Sequence, residues 1–315
     1  MNKLVRGMLV LAILAAAASI TVAEDPVFPE EWKSLDVAGL TALARQFVAQ
    51  GAAGVDNCKL LAAYVAQRYA ADAAENKVDW NEWLDLGSLL GTYYPKATQE
   101  AMAKDMQQKL APDQEAVSKL TDEQLKKTCK ALVKLRQFDI GSAIFVTWAK
   151  ETNAWQSWDP EGLGWLVYIL GEAREAGKEA RLRLLEHISG KYLTDNTAIR
   201  SVPGESWKFF AEYLYGELSP DTRTQWITKL RAAFPDMDAL KPREAAYNVW
   251  TLRILGDSGV GARTAKWMEG SAAWKSWGAW ELDRLAEVLS DSGEAGKAAR
   301  VSLAGQITTK YMVDK

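Results

Sequence analysis

An all-α protein, built as an α-solenoid of about seven antiparallel helical hairpins, is what this sequence predicts. Three observations predict it. The stretch from Trp155 to Asp195 recurs without gaps from Trp274 to Asp314 and, more worn, from Trp32 to Asp72. The positions kept in all copies are mostly apolar and spaced by three, four or seven: Leu40, Leu163 and Leu282; Leu43, Leu166 and Leu285; Phe47, Leu170 and Leu289; then Leu61, Leu184 and Leu303. Such spacing is one face of a helix. Between the two apolar faces stand Gly54, Gly177 and Gly296, which mark a break in each copy. A single hairpin cannot bury its apolar stripe, so such units stack.

Taken in order, residues 1–23 read as a secretory signal peptide. Lys3 and Arg6 precede an apolar run from Met8 to Ile20, and small residues end at Ala23. Residues 24–36, with Pro26 and Pro29, are an expected extended lead-in. Residues 37–315 form one expected helical repeat domain, in three-hairpin units 37–155 and 156–274 and a final hairpin 275–315. The first hairpin is expected at 37–50 and 55–71, and the second at 80–94 and 96–110, turning at Pro95. Thr121 and Gln124 match a capping box, which predicts a helix over 122–137 with a partner over 140–150.

Asp159, Pro160 and Glu161 supply an N-cap acceptor, a first-turn proline and an acid at the positive helix end, opening the fourth hairpin. Residues 195–205, with Pro203 and Gly204, make the longest expected loop. The fifth hairpin is expected at 207–216 and 221–234, the sixth at 243–255 and 261–268, and the seventh at 280–290 and 295–311. The second hairpin type recurs in the fifth and the third in the sixth, so the larger period is ~120 residues, or ~40 per hairpin.

Charge and composition narrow the function. The formal net charge is −3, and removal of residues 1–23 takes away two further cations and no acid. That balance argues against nucleic acid, which needs a basic footprint, and against anionic lipid as the main partner. No segment after residue 23 is long and apolar enough to suggest stable membrane insertion. The expected location is therefore the periplasm or the extracellular space. Cys58 and Cys129 fall two hairpins apart and are expected as free, buried thiols.

Catalysis finds little support. His187 is the one histidine, and its place is taken by Gln306 in the last copy. A zinc site of three or four nitrogen and sulfur ligands cannot be built from it and two distant cysteines. No phosphate-binding loop, dinucleotide fingerprint or zinc-protease motif is present, so no cofactor is implied. Asp79, Glu82 and Asp85, or Glu212 and Glu217, leave paired-carboxylate chemistry open, although a solvated helix face explains them more simply.

Leu285, Ala286, Leu289, Gly293, Ala295 and Ala298 resemble the spacing of a tetratricopeptide repeat, and Leu43, Ala44, Phe47, Gly51 and Ala53 follow it. The resemblance covers most of residues 37–312 in degenerate, lengthened form. It implies a non-catalytic scaffold that binds a peptide or protein partner along a concave groove lined by the first helix of each hairpin. In that register Arg45, Tyr168, Glu172 and Glu287 point inward, and Tyr215 and Arg253 take similar places.

The chain also carries 14 tryptophans. Trp155 and Trp274 recur in register, which predicts rings wedged between successive hairpins. Trp165 has Arg284 and Ala42 as its counterparts and is the best candidate for an exposed ring. A row of such rings, with carboxylates, would suit the alternative reading of a cell-envelope glycan-binding or glycan-cleaving protein.

Overall fold

Helices in this protein start where the chain places its caps. The Gln124 N–H donates to the Thr121 hydroxyl at 3.2 Å while the Thr121 N–H donates to the Gln124 side chain at 3.0 Å, so the capping box forms. The Gly162 N–H donates to Asp159 at 2.8 Å ahead of Pro160, and the Thr222 N–H to Ser219 at 3.1 Å ahead of Pro220. The computed structural model describes residues 28–75, 78–110, 117 and 119–311, among which no strand occurs. The expected signal peptide lies outside them, as do residues 24–27.

In chain order the helices are α1 (Glu30–Lys33), α2 (Val37–Ala49), α3 (Val55–Ala74), α4 (Trp80–Leu90), α5 (Lys96–Leu110), α6 (Asp122–Lys134), α7 (Phe138–Glu151) and α8 (Pro160–Glu172). They continue as α9 (Lys178–Tyr192), α10 (Asn196–Arg200), α11 (Gly204–Leu214), α12 (Pro220–Ala233), α13 (Pro242–Ile254), α14 (Val260–Gly270), α15 (Ala279–Ser290) and α16 (Lys297–Tyr311). Helices α2, α4, α6, α8, α11, α13 and α15 form a continuous series, each in contact with the next. Their sequence successors form a second series that touches itself more sparingly. One apolar cluster runs between the two series from Trp32 to Leu303.

Three expectations are corrected. The lead-in is not wholly extended, because α1 turns there and buries Trp32. The expected loop over 195–205 contains α10, because Asp195 accepts hydrogen bonds from the Thr197 and Ala198 N–H groups at 2.8 and 2.9 Å and Ile199 is buried. Helix α11 starts at Gly204 rather than Trp207. Its cap comes from a distant residue: Glu244 on α13 accepts from the Gly204 N–H at 2.8 Å.

The repeated positions have repeated jobs. The Trp155 indole donates to the Ala149 and Thr152 carbonyls at 3.2 and 2.9 Å, and Trp274 donates to the Met268 carbonyl at 3.1 Å. Each ring thereby ties a new pair of helices to the end of the preceding one. Trp158 meets Trp148 with ring centroids 5.3 Å apart, and Trp277 meets Trp267 at the same 5.3 Å. Ser34, Ser157 and Ser276 each donate to the carbonyl three residues back. A Cβ on Gly54 or Gly177 would overlap the carbonyl oxygen of Phe47 or Leu170, so the turn approaches the preceding helix too closely for any other residue. Cys58 and Cys129 are free and buried, as expected.

Asp257 joins the fifth and sixth pairs. Its fully enclosed carboxylate receives Arg231, Arg263 and the Gly259 N–H. Burial alone would raise its pKa, but the arginine hydrogen bonds outweigh burial and hold it below the ordinary value. A depressed folded value means that the stabilisation is complete above about pH 4 and is lost as pH falls through the folded value. Asp257→Asn is expected to cost about 1–2 kcal/mol at neutral pH, because both arginines stay partly hydrated. Urea melts should show the gap from the parent closing below about pH 4. A gap of the same size at every pH would mean that the charge contributes nothing.

Candidate functional site

The series of first helices carries charged pairs at its N-terminal end and aromatic rings under cations at its C-terminal end. Arg45 on α2 donates to Asp85 on α4 at 3.0 Å, and Lys127 on α6 reaches the other Asp85 oxygen at 2.9 Å. Lys126 and Lys130 then pair with Asp159 and Glu161 at the start of α8, at 3.0 and 2.8 Å. These groups and Trp165 line a cleft of ≈250 Å³.

From α8 onward rings take over. Tyr168 stacks on Phe138 at 5.3 Å and on Tyr213 of α11 at 4.6 Å. Lys208 of α11 sits over Phe209 at 4.8 Å and over Trp250 of α13 at 5.0 Å. Arg284 of α15 sits over Trp250 at 4.4 Å and over Trp280 at 5.9 Å, and Arg243 lies 5.3 Å from the Trp280 ring. Each cation over a ring gains quadrupole attraction, and Lys208 and Arg284 are also paired with Glu212 and Glu287. Tyr168, Tyr213, Trp250 and Trp280 remain partly exposed.

Burial shifts several titratable groups in and beside this ladder. Burial lowers the Lys134 pKa, the Glu205 carboxylate opposes that shift, and Lys130 and Arg243 reinforce it. Its ammonium lies 4.9 Å from the Trp165 ring. Burial and then Glu205 push Tyr247 up to about 12. Burial and then the hydrogen bond with Tyr168 push Tyr213 further. These phenols are therefore neutral hydrogen-bonding groups at ordinary pH. The ladder presents rings, cations and hydroxyls in one row.

The predicted site residues divide. Trp165, Tyr168 and Glu172 lie together on α8, with Glu172 accepting from the Tyr213 hydroxyl at 3.2 Å. Glu287 lies at the far end, paired with Arg284 at 2.9 Å, and Arg45 belongs to the N-terminal ionic end. Tyr215 and Arg253 stand apart in local partnerships. Arg223 covers the Tyr215 ring at 3.9 Å, and Arg253 pairs with Asp291 at 2.7 Å.

Trp165 is corrected from an exposed ring to a buried one, 4% exposed and 5.1 Å from Phe209. Replacement by Arg284 in the last copy did not signal solvent, because Arg284 covers a ring and is itself only 17% exposed. Of the candidate carboxylates, Asp85 and Glu212 are held by cations, and Glu217 is buried against Arg181. Ser189 accepts from the Trp226 indole at 3.2 Å, while His187 meets Trp155 edge-on at 5.5 Å.

Sequence reasoning missed Lys208, Arg243 and Trp250. The available signal was that the position of Trp165 and Arg284 alternates between ring and cation. No protein-family model, curated protein or solved structure matches this chain.

Proposed function

We propose that the protein is an exported, non-catalytic scaffold, an α-solenoid of seven antiparallel hairpins with tetratricopeptide-like character, that holds an extended segment of a partner protein along its first helices. The ladder from Tyr168 to Arg284 carries this reading. It offers partly exposed rings, cations and carboxylates in one row, which suits a peptide of mixed apolar and charged side chains. Its four helices, α8, α11, α13 and α15, spaced 8–10 Å apart, would span roughly eight extended residues. The contacts between successive first helices support the solenoid reading.

Sugar stacking needs free ring faces, and here Lys208, Arg243 and Arg284 already occupy faces of Phe209, Trp250 and Trp280. The glycan alternative therefore ranks second. Selection of a random-peptide phage library on the exported form, after its N-terminus has been read, tests the proposal. Enriched peptides are expected to bind at least about tenfold more weakly to Trp250→Ala and Trp280→Ala. No enrichment, or equal binding to both variants, would overturn the peptide reading. Sedimentation with cell-wall polysaccharide that depends on these rings would favour the glycan one. An intact Met1 would remove export.

A further inference from the structure

The turn inside a helix pair repeatedly needs a left-handed residue. Glycine fills it at Gly51, Gly256 and Gly293, with φ of 60°, 83° and 58°. In the third and fourth pairs the equivalent residues are Arg136 and Arg174, with φ of 57° and 50°. Arg174 stands in register with Gly51 and Gly293, and Arg136 with Gly256. An L-residue in this conformation is strained by roughly 1 kcal/mol or more, and such strain concentrates at functional positions. Two of the repeat's glycine positions have therefore been given to arginine at adjacent turns, against the local backbone preference.

Both arginines line one open cleft of ≈740 Å³, together with Phe138, Ser142, Val146 and Thr147. Both are exposed, and neither guanidinium makes a hydrogen bond or ion pair with any described residue. The nearby Glu172 is engaged by Tyr213. A guanidinium presents a planar fork that matches a carboxylate.

We propose that this cleft binds the side-chain carboxylates of an acidic peptide segment, one on Arg136 and one on Arg174, with aliphatic stems against Phe138 and Val146. Asp139 and Glu172 also line it. A phosphate dianion would meet more repulsion from them than a single carboxylate does. The proposal goes beyond the ladder, and its test leaves the ladder rings untouched, so either can fail alone.

Arg136→Gly and Arg174→Gly install the residue that the repeat uses elsewhere. Both variants should melt at or above the parent temperature, because the left-handed strain is relieved. Anisotropy of fluorescein-labelled octaglutamate at low salt should show binding weakened about tenfold by each and about a hundredfold by both. Lys297→Ala, removing an exposed cation from the last pair, should leave binding unchanged. No binding to the parent, equal binding to the double variant, or an equal loss in Lys297→Ala would overturn the proposal. So would displacement of octaglutamate by inorganic phosphate at equal or lower concentration.

Discussion

Trp155→Ala is expected to destabilise the fold by about 3–5 kcal/mol, through lost transfer energy and the cavity left between two helix pairs. The ring is 1% exposed. Its indole N–H satisfies two carbonyls at the end of α7 and its edge meets His187, so truncation also leaves polar groups without partners. The same device stands at Trp274, 2% exposed. Trp165→Ala, which the sequence places at about 1 kcal/mol or less as a surface change, is now expected to cost about 3 kcal/mol. The burial of its ring against Phe209 is the reason. Urea unfolding of both variants gives the comparison. A loss below about 1 kcal/mol for Trp155→Ala would mean that the recurring tryptophan does not form the joint between pairs.

Arg181→Met should be comparably damaging, about 3–5 kcal/mol, because it strands a buried charge. Arg181 and Glu217 have side chains only 9% and 8% exposed. The guanidinium donates to Glu217 at 2.6 Å and to the Leu170 and Arg174 carbonyls at 2.7 and 2.6 Å. One side chain thus closes the end of α8, fixes its turn and holds the turn of the next pair. Arg300 repeats the local half of this, donating to the Leu289 carbonyl at 3.0 Å and the Ser292 hydroxyl at 2.9 Å. The double variant Arg181→Met with Glu217→Leu is expected to regain most of the loss, since replacing both partners removes the unpaired carboxylate. If the double variant is as unstable as the single one, the uncapped carbonyls account for the loss and the ion pair does not. Chemical denaturation of the three proteins decides between these outcomes.

The alternation of Trp165 and Arg284 shows how far repetition can be read. Identical residues at matched positions, such as Trp155 and Trp274, proved to hold identical joints. A ring exchanged for a cation suggested solvent. In the folded chain both belong to one ladder, because a guanidinium can cover an indole as another side chain would. Tyr168 and Glu172, placed inward by their register, lie beside Tyr213 in that ladder. Lys208 and Trp250 were not so placed, because their importance comes from neighbours on other helices and their own spacing shows nothing.

The sequence by itself determined the all-helical class, most helix starts and the glycine turns, because caps, apolar periodicity and left-handed residues act within a few positions along the chain. Thr121, Asp159 and Ser219 open their helices through bonds reaching three residues onward. The tertiary structure alone decided the start of α11, the burial of Trp165 and the joining of Arg136 and Arg174 in one cleft. Glu244 caps Gly204 from another pair of helices. The two arginines meet only because adjacent pairs bring their turns together. Such features depend on distances between residues far apart in sequence, which side-chain packing sets and local propensity does not encode.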